Sequence, residues 1–193
     1  MSTLKVNSII PVSGVPTDGG GGIIQVKSVS DTVRESTGSF SCSQSYVDTV
    51  FVVTITPTSS SNKMLISAFF FGEASTNEHE MQFQIERAIS GGSTTNIRGA
   101  TSGSKGTCIA VPPQGYFDNN NDSTPFNMAF NGLLDSPATT SAITYTLQCR
   151  AATGSRTVYY NRTVNESDNE SSERGLSWLT VMEVSGLLLR CII

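Results

Sequence analysis

The side chains that could do chemistry in this sequence are scattered, and their spacing assembles no reaction centre. Carboxylates stand at Glu78, Glu80, Glu86, Asp118, Asp122 and Asp135. Cleavage of a glycosidic bond needs two carboxyl groups held across a cleft at a fixed separation, and nothing in the order of these six sets any two opposite one another. The only histidine, His79, has no cysteine or metal-ligand cluster beside it, so it reads as a surface or strand-edge residue. No Gly-x-Ser-x-Gly elbow is present to raise an esterase-type serine. The stretch Gly99 to Thr107, GATSGSKGT, has the composition of a phosphate loop. Its order is wrong, because Gly106 follows Lys105 where Ser or Thr is needed, and no helix is predicted after it to aim amides at phosphate. Cys42, Cys108, Cys149 and Cys191 lie far apart without the close pairs of a zinc or redox motif, and are expected to be buried thiols. The expectation is a protein that is not an enzyme and carries no metal or cofactor.

The most site-like stretch is Tyr116 to Ser123, YFDNNNDS. Tyr116 can stack on a sugar ring while Asp118, Asn120 and Asp122 hydrogen-bond its hydroxyls, which makes these four the candidate glycan contacts. The same oxygens could hold calcium, but the regular spacing and closing Glu of an EF-hand loop are missing. A solvated turn is the plain alternative. Asn161, Asn165 and Asn169 each open a glycosylation sequon, read as coincidence because the start of the chain lacks the apolar run of a secretory signal. That start leads to the expectation of a product made in a cytoplasm.

The elements that must position such groups are strands. With 37% hydrophobic and 15% charged residues, 193 residues can bury one sizeable core. The 17 glycines and the load of Ser, Thr and Asn favour turns and strand edges over helix. A formal net charge of -4 with no basic stripe argues against nucleic acid as a partner, and no run of about 18 apolar residues argues for membrane insertion.

Residues 1–22 look like an appendage: Leu4, Val6, Ile9 and Ile10 form a candidate anchor peptide ahead of a hinge of four glycines, Gly19 to Gly22. The body, 23–193, opens with a strand at 23–29 and a polar connector at 30–38. Asp48 to Thr56 is dense in β-branched residues, Thr58 to Asn62 turns the chain, and Lys63 to Phe71 returns. Residues 79–89 alternate cleanly, with Met81, Phe83 and Ile85 inward and Gln82, Gln84 and Glu86 toward water. Weak strands follow at 96–98 and 108–111. Pro125 to Arg150 reads as two strands folded back on one another through 135–141, and further strands are expected at 156–164 and 178–184. Eight to ten strands with turns every ten or so residues describe an all-β, antiparallel, jelly-roll-like β-sandwich.

Two stretches carry more apolar surface than one small sandwich hides. Lys63 to Phe71 is apolar on both faces, and Leu187 to Ile193 is strongly apolar. One solution tucks them into the monomer. The other is a subunit interface, and the expectation is a homotrimer whose axis is lined by some of Met64, Ile66, Phe69, Phe71, Leu187, Leu189 and Ile192.

Three segments carry a resemblance: MSTLKVNSI at 1–9, TITPTSSSNKMLI at 54–66 and LDSPATTSAITY at 134–145, with Trp178 to Val184 fitting the same pattern. Together they are similar to virion structural proteins of tailed phages, especially cyanophages and other aquatic phages. The resemblance implies an N-terminal peptide attached to the particle and a sandwich displayed outward as a trimer, in a tail fibre, short appendage or head-surface protein. The chain departs from many fibres in lacking a long shaft and in carrying its apolar tail. Other virion proteins and host-surface glycans are the implied partners. The rival readings are a capsid decoration or cement protein, a bacterial carbohydrate-binding module and, least in keeping with the residues, a polysaccharide depolymerase.

Overall fold

The computed structural model describes residues 22–76, 81–112, 124–170 and 172–186. Among them, ten strands and one short helix follow in chain order: β1 (Ile23–Ser28), α1 (Asp31–Glu35), β2 (Gly38–Cys42), β3 (Val47–Ile55), β4 (Lys63–Ala74), β5 (Gln82–Ile89), β6 (Thr94–Ile97), β7 (Phe126–Asp135), β8 (Ile143–Arg150), β9 (Arg156–Tyr160) and β10 (Trp178–Val184). They make two antiparallel sheets that pack face to face, so the expected all-β sandwich is the observed architecture. No helix among the described residues is long and apolar enough to cross a membrane.

The six-stranded sheet is built on β4. One edge of β4 pairs with β10 and, further along, with β9; the other edge pairs with β7. Beyond β10 lies β1, and beyond β9 lies β2. The strands converge at Gly72, which has Phe126 as partner on one side and Tyr160 on the other. A Cβ there would sit 2.2 Å from the Tyr159 carbonyl oxygen, so only glycine fits. The four-stranded sheet runs β3-β8-β5-β6.

Strand alternation produces the core. Met64, Ile66, Ala68 and Phe70 of β4 face Phe51, Val53 and Ile55 of β3 and Phe83 and Ile85 of β5, all buried. Phe70 is the aromatic centre, with ring centroids of Phe83, Phe126, Phe51 and Phe40 at 5.1, 5.8, 6.0 and 6.4 Å. Each such side chain contributes about 1.5–3 kcal/mol by leaving water.

Several expectations need correction. The two strands of 126–150 do reverse where predicted, but they do not pair: β7 joins β4 in one sheet and β8 lies between β3 and β5 in the other. Turning across the sandwich lets both apolar faces meet over the core instead of lying side by side in one layer. The corner is held by Asp135, whose Oδ2 accepts from the Tyr145 hydroxyl and whose Oδ1 accepts from Arg87, each at 2.7 Å. Burial, and then the bond to Asp135, push the Tyr145 hydroxyl pKa well up. The polar connector 30–38 contains α1, started by Ser30, whose Oγ accepts the Val33 amide at 3.3 Å. The expected strand at 108–111 shrinks to one bridge, Ala110 beside Phe83.

Candidate functional site

Strand alternation gives β4 a second face, turned away from the core, and the registers show what stands beside it. Val26 of β1, Met182 of β10, Leu65 of β4 and Leu134 of β7 form one row across four strands. A neighbouring row on one side holds Ile23, Val184 and Lys63; on the other side Ser28, Thr180 and Ser67, then Trp178, Phe69 and Ala129, then Phe71 and Asn127. Lys63 is the only charge in these rows. The Phe69 and Trp178 rings stack at 4.6 Å, and Phe71 packs on the backbone of Gly175, where a Cβ would meet its ring at 2.5 Å. Ile23, Val26 and Leu134 are 58%, 51% and 46% exposed. The Ser28, Thr180 and Ser67 row separates two apolar rows on this face, and the outer of them, with its exposed Val26 and Leu134, is a candidate interaction surface.

The residues expected to line a trimer axis divide accordingly. Phe69 and Phe71 stand on this outer face. Met64 and Ile66 do not: both are fully buried in the core, because a period of two sends 64 and 66 to the opposite side of β4 from 69 and 71. They are therefore removed from the candidate interface. Leu187, Leu189 and Ile192, the anchor residues Leu4, Val6, Ile9 and Ile10, and the glycan-contact residues Tyr116, Asp118, Asn120 and Asp122 all lie outside the described residues, as does His79. Sequence reasoning did not single out Trp178, Met182, Val26 and Leu134 as companions of Phe69. Each sits in a predicted strand, but only pairing partners show that they share a face.

The outer face of the four-stranded sheet is built differently. Gln82 and Gln84 of β5 and Thr146 and Gln148 of β8 point outward, yet all four are buried. The connector 98–110 lies over them: Arg98 donates to Gln84 Oε1 at 3.1 Å, and the Tyr46 hydroxyl donates to the Thr107 carbonyl at 2.7 Å. Beneath it, Gln84 Nε2 donates to Gln148 Oε1 at 2.5 Å, while Gln148 Nε2 donates to Asp48 at 2.7 Å and Glu86 at 3.2 Å. Arg150 donates to Gln82 Oε1 at 2.9 Å. The guanidinium groups of Arg98 and Arg150 stand over the Tyr46 ring, 5.7 and 5.3 Å from its centre. Burial and the neighbouring Cys108 push its hydroxyl pKa up to about 12, against the opposing pull of the two arginines.

Two buried carboxylates pin the ends of the six-stranded sheet. Glu183 of β10 accepts from Asn62 Nδ2 at 2.6 Å, from Gln25 Nε2 at 2.6 Å, and from the amide and hydroxyl of Thr58 at 2.7 and 2.8 Å. Burial raises its pKa, but the donors from Asn62, Gln25 and Thr58 outweigh that and hold the carboxyl below its ordinary range. At the other end, Glu73 accepts from the Thr124 amide and hydroxyl at 2.8 and 2.9 Å through one oxygen and from the Val164 amide at 2.7 Å through the other. It thereby fixes the base of the segment leading back from the candidate glycan loop and the base of the polar loop after β9. That second loop encloses a space of about 270 Å³ lined by residues including Arg162, Glu166, Asp168, Glu173 and Arg174. Glu166 bridges the two arginines across it.

Among the described residues no group of three or more His, Cys, Asp or Glu side chains is placed to hold a metal ion. No protein-family model matches the sequence, and no curated protein matches it. Among solved structures the chain is similar to one titled structure of infectious bursal disease virus Gx strain, at 12% identity and a TM-score of 0.38. The match covers 91% of this chain and 41% of that one, so the chain spans about two fifths of the length of the viral chain it matches.

Proposed function

We propose that the chain is a structural subunit of a virus particle, working as one of several identical copies and displayed as a trimeric tail-fibre or appendage module. The observation that carries this reading is the row Val26, Met182, Leu65 and Leu134 on the outer face of the six-stranded sheet, whose exposed ends at Val26 and Leu134 fit a role in assembly. The resemblance of 1–9, 54–66 and 134–145 to phage virion proteins adds to it. Copies held together multiply weak contacts, so loops at the Glu73 end recognise repetitive host-surface glycans by avidity, a gain of roughly 10² to 10⁴ over one site.

The test is the sedimentation of the full chain over a concentration series. A trimer is expected, and a stable monomer at micromolar concentration would remove the reading. Antibody labelling of whole particles then separates a tail appendage from a capsid decoration protein, and a glycan array on the isolated trimer tests host recognition.

A further inference from the structure

Cys42 and Cys149 stand 107 positions apart in sequence, yet their sulfurs lie 3.7 Å from one another. Cys42 closes β2 in the six-stranded sheet and Cys149 belongs to β8 in the four-stranded sheet, so the contact spans the sandwich. Neither side chain has any exposed surface. The backbones approach immediately beyond the pair, where the Ala151 amide donates to the Ser43 carbonyl at 2.8 Å. A disulfide needs sulfurs about 2 Å apart, so the present contact would have to close by under about 2 Å.

We propose that Cys42 and Cys149 are the two halves of a cross-link between the sheets, closed by thiol–disulfide exchange with a low-molecular-weight disulfide such as oxidised glutathione. The thiolate of Cys42 attacks one sulfur of the oxidant, whose own S–S bond breaks and releases one glutathione thiolate. The Cys149 thiolate then attacks Cys42 Sγ in the mixed disulfide, forming the internal bond and expelling the second glutathione. The two thiols lose two protons and two electrons, and the oxidant gains them as two molecules of glutathione.

Access sets when this happens. Burial and the contact with Cys42 hold the Cys149 thiol well above its ordinary pKa, so it stays protonated and inert while the sandwich is closed. Within the described sheet β2 is an outermost strand, paired to β9 alone, so its opening is a local motion that would uncover Cys42. A chain made under reducing conditions therefore folds with both thiols free and acquires the link on reaching an oxidising medium. The inference stands independently of the proposed assembly.

The experiment uses the full chain carrying Cys108→Ser and Cys191→Ser, so that only this pair remains. After incubation with oxidised glutathione, the intact mass is expected to fall by two hydrogens and both thiols to resist alkylation in denaturant. Peptide mapping is expected to join Cys42 to Cys149, and the thermal midpoint to rise by on the order of 10 °C, reversed by reductant. The unsubstituted chain, refolded in a glutathione redox buffer, supplies a second measurement should the variant fold poorly. Two alkylatable thiols after both treatments, a link formed only between molecules, or a cross-linked protein with an unchanged or lower midpoint would each overturn the proposal.

Discussion

The two outer faces of this sandwich invert the usual arrangement. The four-stranded sheet turns glutamines outward and then covers them with its own connector, while the six-stranded sheet turns out the row Val26, Met182, Leu65 and Leu134 and leaves its ends open. Covering polar groups is tolerable only when each finds a partner, and the chain from Arg98 through Gln84 and Gln148 to Asp48 supplies them. The apolar row has no such demand and gains by meeting another apolar surface. One face covers its polar centre within the chain, leaving Val50 and Val52 of β3 open at its edge; the other leaves Val26 and Leu134 open.

The comparison breaks first at Leu65. Leu65→Asp places a charge in the middle of the apolar row, and association is expected to weaken by roughly 30-fold or more while the monomer stays folded, read by sedimentation over a concentration series. Unchanged association would show that copies do not meet through this face. On the covered face the same logic predicts the opposite partition. Gln148→Leu strips the partners from Gln84, Asp48 and Glu86, so folding stability in a denaturant titration is expected to drop by about 1–3 kcal/mol with association untouched. The smallest effect is the sharpest control. Val26 and Val52 are 51% and 42% exposed on the two faces, and Val→Thr at either should change monomer stability by no more than about 0.5 kcal/mol. Only Val26→Thr should weaken association; equal behaviour of the two would erase the distinction between the faces.

Much of the fold was legible because alternation is local. The β-branched run at β3 and the two-sided apolar run at β4 declare themselves as strands. What alternation cannot say is which strand lies beside which. Alternation alone makes Pro125 to Arg150 a hairpin, although the chain crosses from one sheet to the other there. The same ignorance of partners joined Met64 and Ile66 to Phe69 and Phe71, and hid the row that joins Val26 to Leu134. Gln82 and Gln84 look solvated because their cover, residues 98–110, has no periodicity to mark it as a roof. The contact of Cys42 with Cys149 is invisible for the same reason, since it joins positions in different sheets.

Glu73 grips Thr124 and Val164 chiefly through their backbone amides, groups that almost every amino acid provides. The letters beyond those two points can therefore drift, lengthen or be exchanged without loosening either attachment. A molecule built this way can hold its frame constant while the sequence beyond those two points changes.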